Sequence, residues 1–310
     1  MIYSYNDLIK DIKFFSSCNL ETGSIGKTIC SRNLFYVAFK PRFQAEIHQS
    51  QTCNTKPPII ITGGIHAREH ITCHFLIKLI KNFLEKGNRF SQKVYFIPML
   101  NPDGIMLIKD GINSAAKKLQ PLIEQVTKKS TGTNIENSQT AVSNRPNNPD
   151  LALFKANANC VDLNVNFDAR WGSGKSNLTY PHTENYIGEH PFSENETAAL
   201  RNFTLQKKPS MTLSYHAKGQ ELYWEFGQIG KRRKQDKALA KKINRHLKYR
   251  LIPDTKTSAG GYKDWCIEKL KIPSFTIEIV PDKYLHPLTN YNIIEKEFPL
   301  HIKMLEDILL

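Results

Sequence analysis

Several features are scarce or missing in this 310-residue chain, and each absence removes a class of protein. The six cysteines (Cys18, Cys30, Cys53, Cys73, Cys160, Cys266) are widely separated and form no Cys-x-x-Cys pair. That argues against a zinc knuckle or a dithiol redox centre and leaves reduced, structural thiols. No uninterrupted apolar run is long enough to cross a bilayer, and Met1-Ile2-Tyr3-Ser4-Tyr5-Asn6-Asp7 is not a basic segment leading into an apolar one. A cytoplasmic protein with no membrane partner is expected, with export left open. No Ser/Gly/Pro-rich linker divides the chain. One domain over 1–310 is therefore expected, with a polar surface insertion at about 105–150 whose most polar part is Lys128 to Asp150. Acidic residues are in short supply, 29 against 43 lysines and arginines, giving a formal charge of +14. That bias suits nucleic acid, an anionic wall polymer or a carboxylate-rich small substrate. The densest basic run, Lys231-Arg232-Arg233-Lys234, leads into Leu239, Ile243 and Leu247 at helical spacing. It reads as a solvated helix face rather than a nucleic-acid patch.

What the chain does have is a set of apolar runs that end in residues able to do chemistry. Pro58-Ile59-Ile60-Ile61-Thr62 has the length and β-branching of a buried strand; Gly63-Gly64 turns it, and His66-Ala67-Arg68-Glu69-His70 follows. Strand ends are where open α/β sheets collect their active sites. A His and a Glu three residues apart can reach one ion, yet a lone His-x-x-Glu is more often two surface residues. The same letters also fit the inverted zinc motif, in which His66 and His70 bind metal from one helix and Glu69 is the base. Because Gly63-Gly64 place His66 on a turn, Glu69 as ligand and His70 as neighbour is preferred, provided a third ligand and a separate base exist downstream.

Along the chain, Ser4 caps a short helix striped by Tyr5, Leu8, Ile9 and Ile12, and strands are expected at Ser24–Cys30 and Leu34–Lys40. Ile71, Phe75, Leu79 and Phe83 describe an amphipathic helix ending near Gly87. Lys93–Leu100 is a second buried strand, closed by an Asn101-Pro102-Asp103-Gly104 turn. Strand, helix, strand is a parallel crossover. Met211-Thr212-Leu213-Ser214-Tyr215-His216 ends in a His, and Ser274-Phe275-Thr276-Ile277-Glu278-Ile279-Val280 carries a lone carboxylate in an apolar strand. Alternation puts Glu278 with Thr276 and Val280, and Phe275, Ile277 and Ile279 on the other face. Taken singly, His216 reads as a core histidine and Glu278 as half of a salt bridge. Taken together, His66, Glu69 and His216 give the three-ligand set of a catalytic zinc, with Glu278 free to act as base for the water in its open position.

At this point the residues resemble the zinc metallocarboxypeptidases. Five motifs in the family's order carry the likeness: His66-Ala67-Arg68-Glu69, Asn101-Pro102-Asp103-Gly104, Val161-Asp162-Leu163-Asn164, Ser214-Tyr215-His216 and Phe275-Thr276-Ile277-Glu278. The resemblance implies an α/β fold with a mixed, mainly parallel eight-stranded sheet flanked by helices, one Zn2+ per chain on His66, Glu69 and His216, and Glu278 as the base. It implies that Asp162 holds a ligand imidazole and that Lys155 stands where many members carry an oxyanion-stabilising Arg. Arg68 and Asn164 match substrate-contacting positions. Two departures stand out. Val165 replaces the Arg that grips a terminal carboxylate, and Lys256 falls near the place of the tyrosine that covers bound substrate.

Asp162-Leu163-Asn164-Val165-Asn166-Phe167-Asp168-Ala169-Arg170-Trp171 and Gly261-Tyr262-Lys263-Asp264-Trp265 look like the bacterial γ-D-glutamyl-L-diamino acid endopeptidase subfamily. That implies cleavage of peptidoglycan stem peptides between γ-D-glutamate and diaminopimelate or lysine. In that reading Lys263 sits at the pocket floor, Arg170 takes over part of the carboxylate clamp and Tyr262 lines the substrate site; a Lys263–Asp264 surface pair is the competing expectation. The implied partner is a peptidoglycan-derived peptide, not nucleic acid. Two alternatives remain open: a carboxypeptidase for ordinary peptides, and an inactive basic protein that binds cell wall or nucleic acid.

Overall fold

The computed structural model describes residues 2–42, 56–132 and 151–310. Ser4 caps α1 (Tyr5–Ser17) through a capping box with Asp7, and the helix buries Tyr5, Leu8, Ile12 and Phe15. β1 (Glu21–Lys27) and β2 (Asn33–Phe39) pair antiparallel; the first begins N-terminal to the expected Ser24. The Ile run forms β3 (Ile59–Thr62), followed by α2 (Ile71–Lys86), which ends at Gly87 with φ 75°, and by β4 (Val94–Ile97), parallel to β3. The anticipated crossover unit is therefore present.

Asn101-Pro102-Asp103-Gly104 is not a free turn. It starts α3 (Pro102–Asp110), with the Asn101 side chain accepting from the Gly104 N–H at 2.9 Å and Pro102 in the first turn. The chemistry that favours Asn and Pro in turns also favours them at a helix start. Gly104 is needed for close packing: a Cβ there would lie 2.5 Å from the Ala156 carbonyl oxygen and 2.8 Å from the Ala67 Cβ. The 105–150 stretch begins as this apolar helix, with Ile105, Met106, Leu107 and Ile108 buried. It continues in α4 (Gln120–Gly132), where Ile123 and Val126 pack with Leu151 and Phe154. Residues 133–150 lie outside the described residues.

Next come α5 (Asn195–Lys207), β5 (Met211–His216), β6 (Glu221–Tyr223), α6 (Gly230–Leu247) and β7 (Arg250–Ile252). The chain closes with a helical turn α7 (Tyr262–Trp265), β8 (Ser274–Glu278) and α8 (Phe298–Leu309). All eight strands make one mixed sheet in the order β1-β2-β4-β3-β5-β8-β6-β7. The centre is parallel, with β3 pairing β4 and β5, and β5 pairing β8. Burial follows the two-residue period of the strands. Ile59 and Ile61, Leu213 and Tyr215, and Phe275 and Ile277 enter the core beneath α1, α2, α6 and α8, while Ile60 and Tyr95 enter the opposite core with Leu200, Phe203 and Trp265. Thr276 and Glu278 take the other face, but Val280 does not follow them; the strand stops at Glu278, and Val280 packs with Ile279. Among the described residues no helix is long and apolar enough to cross a membrane, and the five described cysteines are free; Cys53 lies outside the described residues.

Candidate metal centre

The adjacent parallel strands β3, β5 and β8 deliver their C-terminal ends to one place. Beyond β3 the chain turns at Gly64, whose φ of +62° and 2.3 Å approach of a Cβ to the Cys73 Sγ both call for glycine. Thr72 locks this turn by accepting from the Gly64 N–H at 2.9 Å and donating to the Glu69 carbonyl at 2.8 Å. Asn101 Nδ2 donates to the carbonyls of Ile65 and Ala156, tying the turn to the segment that carries Lys155. His66 is extended (φ −95°, ψ 130°) and precedes a 3-10 turn over Ala67–Glu69. A single helix carrying both His66 and His70 is therefore excluded. His70 instead points its Nδ1 at the Tyr291 hydroxyl, 2.8 Å away.

His66 Nδ1 lies 2.8 Å from Glu69 Oε1, and His216 Nδ1 lies 3.2 Å from Glu69 Oε2. The two imidazoles sit at a ring separation of 4.8 Å. One ligand atom from each of the three residues falls within 4.8 Å of the others, and all three residues are buried. Two imidazoles and a carboxylate are the donor set of catalytic zinc. His66 Nε2 is 3.2 Å from Asp162 Oδ1 but not aligned for a hydrogen bond, and Glu278 Oε2 is buried without any partner. A buried cluster of this kind fits a cation shared by the three donors.

Charge around the cluster is balanced by contact. Asp162 receives the Lys155 ammonium at 2.8 Å and the backbone N–H groups of Asn164 and Asn185 at 3.1 Å each. Burial works against its ionisation, but Lys155 and His66 outweigh burial and hold the carboxyl far below the usual range. The same contest at Glu69 is won by His66 and His216, which keep that carboxylate ionised. Glu278 is the opposite case. Burial pushes it up to about 8, with Glu69 and Glu221 adding to the effect of burial and with His216 and Lys155 opposing it.

Glu278 belongs to a row that crosses four strands. His216 lies opposite Glu278, Glu278 opposite Glu221, and Glu221 opposite Arg250. Arg250 and the Tyr223 hydroxyl both bond the Glu221 carboxylate. Glu221 escaped the sequence reading; its signal was a lone acid five residues after His216 at the head of a short apolar strand. His286, on the loop after β8, was also missed. Burial holds its imidazole down to about 4, although the nearby Glu69 works in the other direction.

The residues expected to touch substrate are arranged unevenly. The Asn164 side-chain oxygen accepts from the Tyr262 N–H at 3.3 Å, which fixes the side chain beside Asp162. Arg68 reaches Glu184 at 3.2 Å. Arg170 stacks on Phe226 with its guanidinium carbon 4.2 Å from the ring centre, and it meets Glu268 at 3.2 Å and Asp254 at 3.6 Å. Lys263 shares the Phe226 ring at 5.3 Å and pairs with Asp264. Tyr262 corrects the sequence reading. It is 1% exposed, packs against Phe167 and Trp265, and bonds Thr204 at 2.8 Å, so it is a core residue with no open edge for a ligand.

Comparison with known proteins agrees with this architecture. The zinc carboxypeptidase family profile matches residues 5–299. Gamma-D-glutamyl-L-diamino acid endopeptidase 1 of Lysinibacillus sphaericus is 27% identical, over 95% of this chain and 70% of its own length. Human carboxypeptidase B is 26% identical, over 81% of this chain and 58% of its own. Among solved structures, bovine thrombin-activatable fibrinolysis inhibitor bound to tick carboxypeptidase inhibitor superposes with a TM-score of 0.69 at 17% identity, covering 100% of this chain and 96% of that one. With the family profile running almost end to end and the sheet and ligand geometry agreeing with it, the chain belongs to the zinc carboxypeptidase family of metallopeptidases.

Proposed function

We propose that this metallopeptidase hydrolyses the amide between γ-D-glutamate and diaminopimelate or lysine in peptidoglycan stem peptides, with one Zn2+ held by His66, Glu69 and His216. The observation that carries the catalytic part is the buried His-Glu-His set with an unpartnered carboxylate, Glu278, beside it. When bound, zinc supplies Lewis acidity toward the scissile carbonyl and lowers the pKa of a water. Glu278 takes the proton of the attacking water and returns it to the leaving amine. Asp162 orients His66, and Lys155, balanced by Asp162, contributes positive charge where the carbonyl oxygen becomes an anion.

The choice of substrate rests on what is missing as much as on what is present. Val165 is buried and has no donor with which to hold a C-terminal carboxylate, as an ordinary exopeptidase must. The Lysinibacillus relative bears the name of the endopeptidase activity proposed here. Arg170 and Lys263, gathered on Phe226, supply two cations for a diamino-acid carboxylate, which would exchange with Asp254, Glu268 or Asp264. Asn164 and Arg68 line the approach to the ligands. Similarity to carboxypeptidase B supports a second reading, removal of C-terminal residues from ordinary peptides.

The test is release of diaminopimelate from L-Ala-γ-D-Glu-diaminopimelate by zinc-loaded protein, with chelator and Glu278→Gln as controls. Should the protein leave that peptide intact while trimming an ordinary L-peptide, the second reading replaces the first.

A further inference from the structure

Half of the chain's formal charge of +14 sits on one helix. α6 holds eight lysines and arginines against a single acid, Asp236, and that acid is buried. Some of these cations are engaged: Arg233 with Glu225, Arg245 and Lys242 with Asp307, Arg232 with the Ile267 carbonyl. Lys231, Lys234 and Lys241 are exposed and have no acidic partner among the described residues; exposed Lys237 has only the Trp224 ring, at 5.8 Å. At roughly 100° per residue these four lysines fall in an arc of about 120° and spread over about 15 Å of helix. The arc lies opposite the buried stripe of Asp236, Ala240, Ile243 and Leu247. A solvated face would not need this arrangement. The first turn contains Lys231, Arg232 and Arg233 and no acid, where the helix dipole favours the reverse.

We infer that this face of α6 binds a linear, base-free phosphodiester polymer. Charge complementarity sets the sign, and the single narrow row of cations suits a chain rather than a plane of headgroups. No aromatic side chain lies on the arc to stack a base, which sets it apart from single-strand nucleic-acid sites. Lysine, a compact point charge, suits singly charged phosphodiesters, whereas bidentate carboxylate recognition would favour arginine. This surface is independent of the proposed peptidase reaction.

The experiment uses the full chain and a fluorescent glycerol-phosphate oligomer, followed by anisotropy across a salt series. Four phosphate contacts predict a log–log salt slope near −3 and roughly a 50-fold loss of affinity between about 50 and 200 mM salt. The variant Lys231→Gln/Lys234→Gln/Lys237→Gln/Lys241→Gln is expected to lose most of that slope and at least tenfold in affinity at the lowest salt, with peptide hydrolysis unchanged. The matching four Lys→Arg changes are expected to keep binding, which separates charge from folding. The inference is overturned by absence of binding in the wild type or by an unaltered slope in the Gln variant. It is equally overturned by markedly tighter binding to single-stranded DNA, poly-glutamate or anionic phospholipid vesicles at equal charge.

Discussion

The metal centre and the outer face of α6 hold charge in opposite ways. At the centre the ionised carboxylates are buried and touch partners: Glu69 two imidazoles, Asp162 a lysine and two backbone N–H groups. On α6 four lysines stand in solvent without acids. Burial makes an unpaired charge expensive, so the centre must be assembled as a set or not at all, whereas exposed charges can be added one at a time. The exception inside the centre is therefore informative. Glu278 is only partly buried, yet its Oε2 is shut away from solvent and meets nothing, as suits the base proposed for a reacting water. Replacing it should separate function from fold more sharply than any other change. Glu278→Gln is expected to cut hydrolysis by about 10²–10⁴-fold while leaving one zinc per chain by elemental analysis. Loss of zinc along with activity would instead make Glu278 a member of the donor set.

A second carboxyl with a buried, unpartnered oxygen lies away from the centre and tests the same contrast through stability. Glu196 is fully buried and its Oε1 has no hydrogen bond; burial, with Asp103 and Glu194 adding to it, pushes the carboxyl up to about 8. Its folded pKa exceeds its unfolded one, so from about pH 4.5 to 8 the unfolded chain gives up the proton and the folded chain keeps it. Stability is then lost as pH rises through that window, by an amount on the order of a few kcal/mol, and the loss is complete above it. Glu196→Gln should flatten this dependence and unfold at a higher temperature than the wild type at pH 9, with little difference at pH 5. Parallel melting profiles for the two proteins would show that the carboxyl is already ionised at neutral pH.

Pairing within the centre can be broken from outside the donor set. Asp162→Asn keeps the shape but removes the charge that faces both His66 and Lys155. Zinc affinity measured by competition with a chelator is expected to fall about 10–100-fold, with the protein still folded. An unchanged affinity would reduce Asp162 to a backbone cap on the turn it begins.

The contrast also explains what could be read from the residues alone. Paired, buried chemistry leaves order in the sequence: His66, Glu69, His216 and Glu278 each end or follow an apolar run, because strand ends of a parallel sheet converge. The same periodicity placed α1, α2 and the central strands. Side-chain direction left less of a trace. Tyr262 is polar at one end and followed a glycine pair, but nothing local revealed that its ring faces Phe167 and its hydroxyl Thr204. Glu221 became visible only through strand register, since β6 joins the sheet beside β8 rather than beside its neighbour in sequence. Asn101 to Gly104 misled because a turn and a helix start use the same residues.

The smallest expected effect belongs to the exposed side of the contrast. If the first turn of α6 is basic for the sake of a polyanion, Lys231 within it costs the helix something, because it faces the positive end of the dipole. Lys231→Glu/Lys234→Glu should then stabilise the protein by roughly 0.5–2 kcal/mol at low ionic strength. For a chain of this size that is a rise in melting temperature of a few degrees at most, fading as salt is added. The same variant removes as much positive charge from this face as the four-lysine Gln variant does, and it should bind the glycerol-phosphate oligomer about as weakly. A protein that melts higher and binds less would show helix stability traded for binding at this surface. A double variant that melts lower would mean that these lysines support the helix through contacts of their own, and the dipole argument for the basic first turn would fail.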